Sequence, residues 1–398
     1  MNKESTDQLD MQNPPFEGVG SYDIAIAGGG LAGLALGIQS ARAGYSSILF
    51  EKERYPFHRV CGEYISLESW NFLEDLGVPL SQMNLPIIRR VLVTAPNGKE
   101  IEQSLPLGGV GISRYKLDAL MAEIAKSAGV ELMEGTKVEN IQFGEDKFCV
   151  HLTSRPTPSR VCSKVAAGTF GKRSNLDLKW KRSFVLQKQN KLNNYVAVKY
   201  HIKIRWPDDL IALHNFKDGY CGISQIENGN CCLCYLTTAK NLAQSGNSIH
   251  QMENRVLSAN PHLKKIFDEC EILYDAPVTI SQISFSKKSQ VQDHLIMIGD
   301  AAGMITPLCG NGMSMALHGS KIAFEQIDRF LQNKISRQRM EQAYREQWRK
   351  QFATRLRTGR MIQRFFGSPL LSNLFISSLK PFPSLIDKLI TQTHGQPF

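Results

Sequence analysis

The sequence predicts an α/β protein in which a domain built on a parallel sheet carries an inserted antiparallel sheet and ends in a helical region. Three observations predict this class. A strand, a glycine-rich turn and a helix follow one another within residues 23–51, strand-type alternation dominates residues 195–236, and helical spacing dominates from residue 312 onward. With 398 residues and 42% apolar content, the chain can form about two to three structural units.

The first of these patterns is a complete strand–turn–helix–strand unit. The apolar strand at residues 23–27 leads into Gly28-Gly29-Gly30-Leu31-Ala32-Gly33, which matches G-x-G-x-x-G. Gly28 permits the tight turn, Gly30 lets a pyrophosphate approach the backbone, and Gly33 lets helix and strand pack closely. The free N–H groups at the helix start attract phosphates. The unit therefore predicts a Rossmann-type dinucleotide-binding domain.

The second strand of this unit ends on an acid. Glu51 follows Gly28 by 23 residues. A carboxylate at this place accepts hydrogen bonds from both ribose hydroxyls and repels a 2′-phosphate. We therefore expect FAD or NAD, rather than NADP, as the tightly bound nucleotide.

A second strand-and-turn pattern lies near residue 300. The apolar residues 295–298 are followed by Asp300, which is placed where open α/β sheets bind ligands and can hold a hydroxyl of a ribityl chain. Gly310 and Gly312 begin the next helix and leave room for N–H groups to approach a ring carbonyl or a phosphate. Such groups favour the negative charge that a flavin gains on reduction.

Local signals place the other elements in chain order. Gly77 and Pro79 end a helix at about residue 76, Pro96-Asn97-Gly98 turns a hairpin over residues 89–103, and Ser113 opens a helix that ends at Gly129. Strand patterns occupy residues 131–133, 138–141, 147–152, 164–174, 195–204, 219–226, 231–236, 278–285 and 295–298, and helical patterns occupy about residues 248–259 and 312–332.

The motifs together resemble a known family. The G-x-G-x-x-G…E unit, Ser113-Arg114…Leu117-Asp118 and Gly299-Asp300…Pro307-x-x-Gly310-x-Gly312 are similar to the single-component FAD-dependent monooxygenases over residues 21–332. Arg59-Val-Cys-Gly-Glu63 and Gly219-Tyr-Cys-Gly-Ile-Ser look closer to the geranylgeranyl-reductase and flavin-halogenase branch. The resemblance implies a glutathione-reductase-like FAD-binding domain with an inserted substrate domain.

The resemblance also implies a role for each matched residue. Cys61 and Glu63 would lie close to the flavin, and either one is a candidate catalytic proton donor. The residues implied to bind the cofactor are Gly28, Gly30, Gly33 and Glu51 for the ADP half, Arg59 and Arg114 for the pyrophosphate or ribityl region, Val138 for the adenine, Asp300 for the linker, and Gly310, Gly312 and Met313 for the isoalloxazine.

These signals divide the chain into four parts. We expect a flexible leader over residues 1–20 and a C-terminal helical region over residues 333–398. The FAD-binding domain is discontinuous and takes residues 21–80, 105–175 and 290–332, and the substrate-binding β-sheet domain takes residues 81–104 and 176–289.

The resemblance is more specific for the cofactor than for the reaction. It implies a monooxygenase that hydroxylates an apolar or aromatic, polyketide- or lipid-like small molecule through a peroxyflavin, which needs a dry pocket with few acid or base groups. The alternative is a geranylgeranyl-reductase-like enzyme that reduces a carbon–carbon double bond and needs a proton, from Cys61 or Glu63. A non-catalytic, flavin-binding electron-transfer protein is a third interpretation.

Two departures from the family bear on the reaction. Residues 166–171 lack the aspartate that monooxygenases carry in a segment contributing to NAD(P)H use, so the electron donor stays open, with NAD(P)H as one candidate. Halogenation is not expected, because Arg205-Trp-Pro-Asp has one tryptophan where halogenases have Trp-x-Trp-x-Ile-Pro.

The charge and the cysteine content limit the kinds of binding partner that the sequence predicts. The net charge of +10 is concentrated in residues 155–191 and 336–364, and no nucleic-acid motif accompanies either stretch. A solvent-exposed face of the protein explains both basic stretches. The alternative is that the basic and C-terminal segments make peripheral contact with a membrane. Residues 231–234 contain one C-x-x-C pair without a second pair or nearby histidines, so no metal is expected. Free thiols indicate a reducing cytoplasm, with or without association with a membrane.

Overall fold

The computed structural model describes residues 20–153, 159–186, 193–306, 310–365, 368–379, 381, 383–393 and 395–398. The predicted leader lies outside the described residues except for Gly20, as do Pro307 of the second motif and parts of the basic stretch at residues 155–191.

Seventeen strands are present in the described residues. In chain order they are β1 (Ser21–Ala27), β2 (Ser47–Glu51), β3 (Tyr64–Ser66), β4 (Ile87–Thr94), β5 (Glu100–Gly111), β6 (Glu131–Glu134), β7 (Lys137–Gly144), β8 (Lys147–Thr153), β9 (Ser159–Gly168), β10 (Asn193–Lys203), β11 (Leu210–Phe216), β12 (Gly219–Gln225), β13 (Cys231–Thr238), β14 (Glu271–Ile272), β15 (Val278–Ser284), β16 (Val291–Gln292) and β17 (Leu295–Met297).

Twelve α-helices are present in the same part of the chain. They are α1 (Leu31–Arg42), α2 (Trp70–Asp75), α3 (Arg114–Ser127), α4 (Asn175–Lys179), α5 (Ser183–Leu186), α6 (Ala239–Gln244), α7 (Ile249–Met252), α8 (Pro261–Glu269), α9 (Gly312–Leu331), α10 (Arg337–Phe365), α11 (Pro369–Leu379) and α12 (Pro383–Thr393).

The first sheet is the parallel layer that residues 23–51 predict. β1 lies between β2 and β9, and β6 and β17 extend the sheet on either side, with parallel pairing throughout. The β7–β8 hairpin joins β9 in antiparallel fashion. α1 packs against α3 and α9, and these helices cover the apolar strands, as parallel sheets require. The predicted βαβ unit is confirmed.

The second sheet has nine strands in the order β14-β10-β13-β12-β11-β4-β5-β3, and β15 also pairs with β10. The pairs are antiparallel except for β4 with β11, so the mostly antiparallel sheet is confirmed. The sequence did not predict β11, because His214 and Asn215 interrupt its apolar pattern. Both residues are buried there, and hydrogen bonds compensate for their burial. His214 bonds Thr94 Oγ1 at 3.0 Å, and Asn215 donates to the Thr94 carbonyl at 2.8 Å.

The predicted domain boundaries near residues 80 and 105 differ from the strand pairing. β3 pairs with residues 109–111 at the end of β5, so residues 64–66 and 105–111 belong to the second sheet. The chain crosses between the two layers here, and strand periodicity alone carries no signal for such a crossing. The crossing places the loop of residues 57–63 at the boundary between the sheets.

Alternation along the central strands separates two faces of the second sheet. On β10, Val196 and Val198 face a rear core that α7 and α8 cover. Because side chains alternate along a strand, Lys199 and His201 of β10 belong to the opposite, front face of the sheet. Cys231 is part of the rear core, whereas Cys234 lines the front, as the sequence pattern predicts.

The C-terminal region is helical, as predicted. α10 packs against α9 and contributes Trp348 and Phe352 to the main core. α12 packs against α10 and β5. In the described parts of the chain, every helix is too short or too polar to cross a membrane.

Candidate functional site

A cavity of about 920 Å³ lies between the ligand-binding edge of the first sheet and the front face of the second. Ligand cavities in proteins commonly measure ~300–1,000 Å³, so this one admits a large, extended molecule. Both predicted halves of the cofactor site meet in it. The predicted residues that line it are Gly28, Gly30, Glu51, Cys61, Arg59, Glu63, Arg114, Val138, Asp300, Gly310, Gly312 and Met313.

The glycine turn forms a cradle whose shape depends on missing side chains. Gly28 has a φ of +116°, and a Cβ there would lie 2.7 Å from the carbonyl carbon of Thr169. A Cβ at Gly33 would overlap the carbonyl oxygen of Gly28. At Gly30 the nearest atom to a Cβ is Arg114 Nη2 at 3.6 Å, so this position faces the cavity. In the part of the chain that the structure describes, no side chain caps the start of α1, so the N–H groups of its first turn can donate to a phosphate, which fits a dinucleotide.

A chain of alternating charges runs along the wall beside this cradle. Glu51 accepts hydrogen bonds from the Gly29 N–H at 2.9 Å and from Arg59 Nη2 at 2.8 Å. Asp118 then binds Arg59 Nε at 3.0 Å and both Nε and Nη2 of Arg114 at 2.6 and 2.7 Å. Burial alone would lower the pKa of Arg114, but Asp118 outweighs this effect and raises it. Arg114 therefore stays charged where a pyrophosphate would lie.

Residues that follow β17 form the half of the site that is far from the glycine turn. Asp300 lies in a short turn, and its carbonyl accepts a hydrogen bond from Lys288 Nζ at 2.8 Å. Gly310 has a φ of +64°, and a Cβ there would be 3.0 Å from Tyr64. Met313 is buried in the first turn of α9. The positions agree with the roles implied for a flavin ring and its linker, and those atom-by-atom roles stay predictions.

A buried polar network lies behind the loop that carries Cys61. Glu63 is fully buried with a φ of +55°, and its carboxylate binds Lys199 Nζ, His201 Nε2 at 2.6 Å and the Arg114 N–H at 2.8 Å. Burial would raise the pKa of Glu63, but the His201 hydrogen bond and the Lys199 charge hold it below its usual range. Glu63 is thus an anchored carboxylate, which disfavours its predicted role as the proton donor.

The neighbouring thiol remains accessible. Cys61 is partly exposed and lines the cavity. The space beside it is open, because a Cβ at the next residue, Gly62, would meet no atom of the described residues within 4 Å. The carbonyl of Cys61 accepts a hydrogen bond from the Cys232 thiol at 3.3 Å, which fixes the loop against β13. Burial raises the pKa of Cys232. Of the two predicted catalytic residues, the geometry therefore favours Cys61.

Glu63, His201 and Cys232 bring potential metal-ligand atoms within 4.8 Å of one another. Lys199 already supplies a positive charge to the same carboxylate. Burial would lower the pKa of Lys199, but Glu63 outweighs this effect and raises it, so the ammonium persists. A dication would lie beside this buried ammonium, and the set is better described as an ion-paired network than as a metal centre.

Sequence reasoning missed several members of the site. Lys199 is a charged residue inside a buried strand, and this break in an apolar run was the available signal. Asp118 is four residues after Arg114 on one helix, a spacing typical of ion pairs. Thr169 donates its hydroxyl to the Gly28 carbonyl at 2.6 Å, across the glycine turn. Nothing in the local sequence marks Lys288.

Comparison with curated proteins identifies relatives that match most of this chain. The chain is 24% identical over 364 residues to conditioned medium factor receptor 1 of Dictyostelium discoideum, covering 85% of this chain and 70% of that protein. It is 25% identical over 332 residues to a menaquinone reductase of Mycobacterium tuberculosis, covering 77% of each. It is 24% identical to a digeranylgeranylglycerophospholipid reductase of Methanococcus vannielii, covering 83% and 82%.

Solved structures show the same fold. The flavin-dependent brominase Bmp2 matches with a TM-score of 0.77 and 20% identity, covering 94% of this chain and 93% of that one. A geranylgeranyl bacteriochlorophyll reductase-like protein from Thermoplasma acidophilum matches with a TM-score of 0.76 and 18% identity, covering 96% and 97%. The family model described as an FAD binding domain matches residues 21–359. The chain therefore belongs to this FAD-binding family, and it is an FAD-dependent oxidoreductase.

Proposed function

We propose that the protein reduces a carbon–carbon double bond of an apolar, isoprenoid-like molecule. The observation that carries this proposal is the cavity wall around Cys61, where a partly exposed thiol stands before the buried Glu63–Lys199–His201 network. Double-bond reduction needs a hydride for one carbon and a proton for the other. Reduced FAD, when bound, would supply the hydride, and this wall is the place from which the protein supplies the proton.

The roles of the chain's own residues follow from that division. Cys61 Sγ holds the proton that the second carbon receives, and because the thiol is partly exposed, the thiolate left behind regains a proton from solvent. The buried pair of Glu63 and Lys199 fixes the loop on which the thiol stands. Arg114, charged beside the glycine cradle, orients the cofactor's phosphates. NAD(P)H is proposed as the transient electron donor that reduces the flavin between turnovers.

The other end of the cavity suits an apolar substrate. Ile211 and Leu213 of β11 line it, and they pack against a cluster formed by Tyr64, Ile88, Val91 and Leu105. Ile390 of α12 covers the same cluster. An alkene chain can lie on this apolar surface with its reacting carbons toward Cys61. The names of the two reductases among the relatives support the same substrate class.

Anaerobic single-turnover chemistry tests the proposal. The purified holoprotein is photoreduced and mixed with menaquinone or geranylgeranyl diphosphate in the absence of oxygen. We expect the flavin to reoxidise, and the product, after exposure to air has returned any quinol to the quinone, to retain two added hydrogen atoms by mass spectrometry. Reoxidation with neither probe, together with a transient absorbing species on mixing with oxygen, would instead identify a monooxygenase.

Cys61→Ala and Cys270→Ala form a matched pair for this assay. Cys270 is also partly exposed but packs on the rear core of the second sheet. We expect Cys61→Ala to slow product formation by at least tenfold with unchanged FAD content, and Cys270→Ala to behave as the wild type. Equal rates in both variants would remove Cys61 from the mechanism.

Hydroxylation remains the second candidate function. The front face of the second sheet presents Ala197, Leu236 and Tyr220 to the cavity, an apolar lining that suits the oxygen chemistry described above. The charged wall near Cys61 argues against it, because that reaction needs few acid or base groups.

We also propose a membrane-facing surface formed by α11 and the end of α10. Leu370 and Leu374 are 82% and 67% exposed, which is unusual for leucines on one short helix. Met361, also exposed, lies four residues after the exposed Arg357, so apolar and basic groups share a face. This combination fits the surface of an anionic bilayer, from which an apolar substrate would reach the cavity.

A further inference from the structure

We propose that a small basic pocket, formed by α10 and the residues between β15 and α9, is a second binding site that takes the phosphate or diphosphate group of a ligand other than FAD. The pocket is distinct from the cofactor cavity. Met304 lines both spaces and so forms a wall between them. The proposal holds for either reaction considered above, because none of its other residues lines the cofactor cavity.

The size and the charge of the basic pocket define the kind of ligand. Its volume is about 320 Å³, at the low end of the ~300–1,000 Å³ that is common for ligand cavities, so it suits a small group. Among the described residues, none of those that line it is acidic. A phosphate ester carries nearly two negative charges at pH 7, which matches this excess of cations. The cations that line the pocket are Lys287, Lys288, Arg349, Arg357 and Arg360.

Two of the arginines lie on one face of α10. Arg349, Ala353 and Arg357 follow one another at intervals of four residues, and the short side chain of Ala353 leaves space between the two guanidinium groups. A guanidinium group binds phosphate oxygens through two parallel hydrogen bonds. In the part of the chain that the structure describes, neither Arg349 nor Arg357 makes an ion pair. The arginines of α10 that do are Arg337, Arg339, Arg345 and Arg355.

A buried ammonium group is the second, independent observation. Lys288 is 7% exposed, and its Nζ donates to the carbonyls of Asp300 at 2.8 Å and Lys172 at 3.2 Å. No carboxylate of the described residues lies within ion-pair distance of it. Burial outweighs the attraction of Asp177 and Asp300 and lowers the pKa of Lys288 to about 8. A buried charge without a counter-ion is costly, and an anion in the pocket would offset that cost.

The backbone around the pocket is already fixed. Gln290 Nε2 donates to the carbonyls of Lys288 at 2.8 Å and Ala302 at 3.2 Å. The buried Trp348 of α10 packs on Gly303, where a Cβ would lie 2.7 Å from the indole. These contacts hold α10 against the segment that carries Lys288. The main chain therefore does not have to be ordered when an anion binds, which lowers the cost of binding.

A phosphate group can reach this pocket from two sources. Lys287 and Arg349 are exposed, so the pocket is open to soluble phosphate esters. Arg357 belongs both to this pocket and to the membrane-facing surface proposed above, so the headgroup of a lipid can also reach it. The chemistry that the pocket recognises is the same in both cases, and the experiment separates the sources.

Calorimetry on the FAD-loaded protein at constant ionic strength measures the binding. FAD occupies the glycine cradle in this form, so a phosphate probe does not bind there. The probes are inorganic diphosphate for the soluble source and dihexanoylphosphatidic acid, as dispersed monomers, for the lipid headgroup. We expect at least one probe to bind, and the tighter one identifies the source. Absence of binding by both would overturn the proposal.

A pair of double variants assigns the binding to the pocket. Arg349→Gln with Arg357→Gln should raise the dissociation constant of the bound probe about tenfold or more, because charge-assisted hydrogen bonds are lost. Lys334→Gln with Lys350→Gln removes the same charge from exposed positions outside both cavities, and should bind as the wild type does. Equal dissociation constants for the two double variants would show that net charge alone attracts the probe, which contradicts a site.

A second pair of variants keeps every cation and covers the case in which the first pair does not fold. In Ala353→Glu a carboxylate lies four residues from both Arg349 and Arg357, where it can pair with them and occupy the space of the ligand. Thr354→Glu adds the same charge at the next exposed position of α10, outside the pocket. We expect Ala353→Glu to lose binding and Thr354→Glu to keep it. Equal affinities in these two variants would also overturn the proposal.

Discussion

Arg59 Nη2 and Glu51 Oε2 lie 2.8 Å apart, so the acid expected to bind a ribose is also the partner of the arginine expected to bind a pyrophosphate. The same carboxylate oxygen accepts the Gly29 N–H at 2.9 Å. The two residues therefore position each other at the glycine turn before any nucleotide arrives.

Removal of this arginine is expected to weaken cofactor binding without unfolding the protein. In Arg59→Ala, Glu51 loses a cation and adds uncompensated negative charge beside the phosphates, so the dissociation constant for FAD should rise at least tenfold, about 1.4 kcal/mol. Flavin fluorescence quenching on titration of the apoprotein measures it. Arg90→Ala, which breaks only exposed ion pairs, serves as the control and should bind FAD normally.

Two glycines of the same turn are expected to respond differently to an added methyl group. In Gly33→Ala the Cβ overlaps the Gly28 carbonyl, so the apoprotein itself should melt at a lower temperature. In Gly30→Ala the Cβ faces the cavity, so the apoprotein should keep its melting temperature while the FAD content falls. Thermal melts of both apoproteins, together with the FAD content of both holoproteins as purified, check this. Similar melts for the two variants would contradict the packing of the turn.

Neutralising Glu63 is expected to destabilise the fold strongly. Glu63→Gln leaves the fully buried Lys199 without its counter-ion, a loss of about 3–5 kcal/mol in the free energy of unfolding. Urea denaturation measures this loss. The double variant with Lys199→Met should recover part of it, because no buried charge then remains unpaired. Glu102→Gln, in an exposed pair with Arg90, should cost less than ~1 kcal/mol.

Acidification is expected to destabilise the protein through a buried histidine. Burial, and to a smaller extent His262, lowers the pKa of His214 from 6.5 to about 3. Between these two pH values the unfolded chain binds a proton that the folded protein does not, so the free energy of unfolding falls as the pH falls, by up to about 1.4 kcal/mol per pH unit.

The dependence on pH can be assigned by substitution. Denaturation curves at pH 6.5 and 5 for the wild type and His214→Asn should show a smaller loss in the variant. His250→Asn, on the exposed face of α7, should lose as much as the wild type. An identical loss in all three proteins would mean that His214 is not the responsible group.

The proposed membrane-facing surface is expected to bind anionic vesicles. The wild type should float with phosphatidylglycerol vesicles and not with phosphatidylcholine vesicles, and Leu370→Ser with Leu374→Ser should reduce binding about tenfold or more, since each buried leucine side chain is worth about 1.5–3 kcal/mol. Leu178→Ser, an exposed leucine on α4, is the matched control. A wild type that stays unbound on anionic vesicles would end this proposal.

The residues of the cofactor cradle could be predicted because short-range geometry dictates them. Each of three residues meets a local requirement: Gly28 has a positive φ, Gly33 lies where two segments approach closely, and Asp300 follows the end of a strand. These requirements select residue types at a fixed spacing, which can be recognised in the sequence. The helix start at Ser113 is equally local, since its hydroxyl accepts the Lys116 N–H at 3.1 Å. Such features need no knowledge of the tertiary structure.

The partners of Glu63 could not be predicted because they come from far along the chain. Lys199 and His201 are more than 130 residues away and reach Glu63 only because β3 crosses into the second sheet. β11 was missed for a related reason. Its His214 is buried by hydrogen bonds to Thr94 on β4, a parallel neighbour that the local pattern does not identify.

The order of strands in the first sheet has a consequence for biosynthesis. β17, which delivers Asp300, pairs with β9 only after the whole inserted second sheet has been made. A nascent chain that stops before residue 295 carries the glycine cradle but lacks the strand and turn that close the far half of the cavity. FAD should therefore be captured late in translation, and truncated chains should emerge from the ribosome colourless even though their first motif is intact.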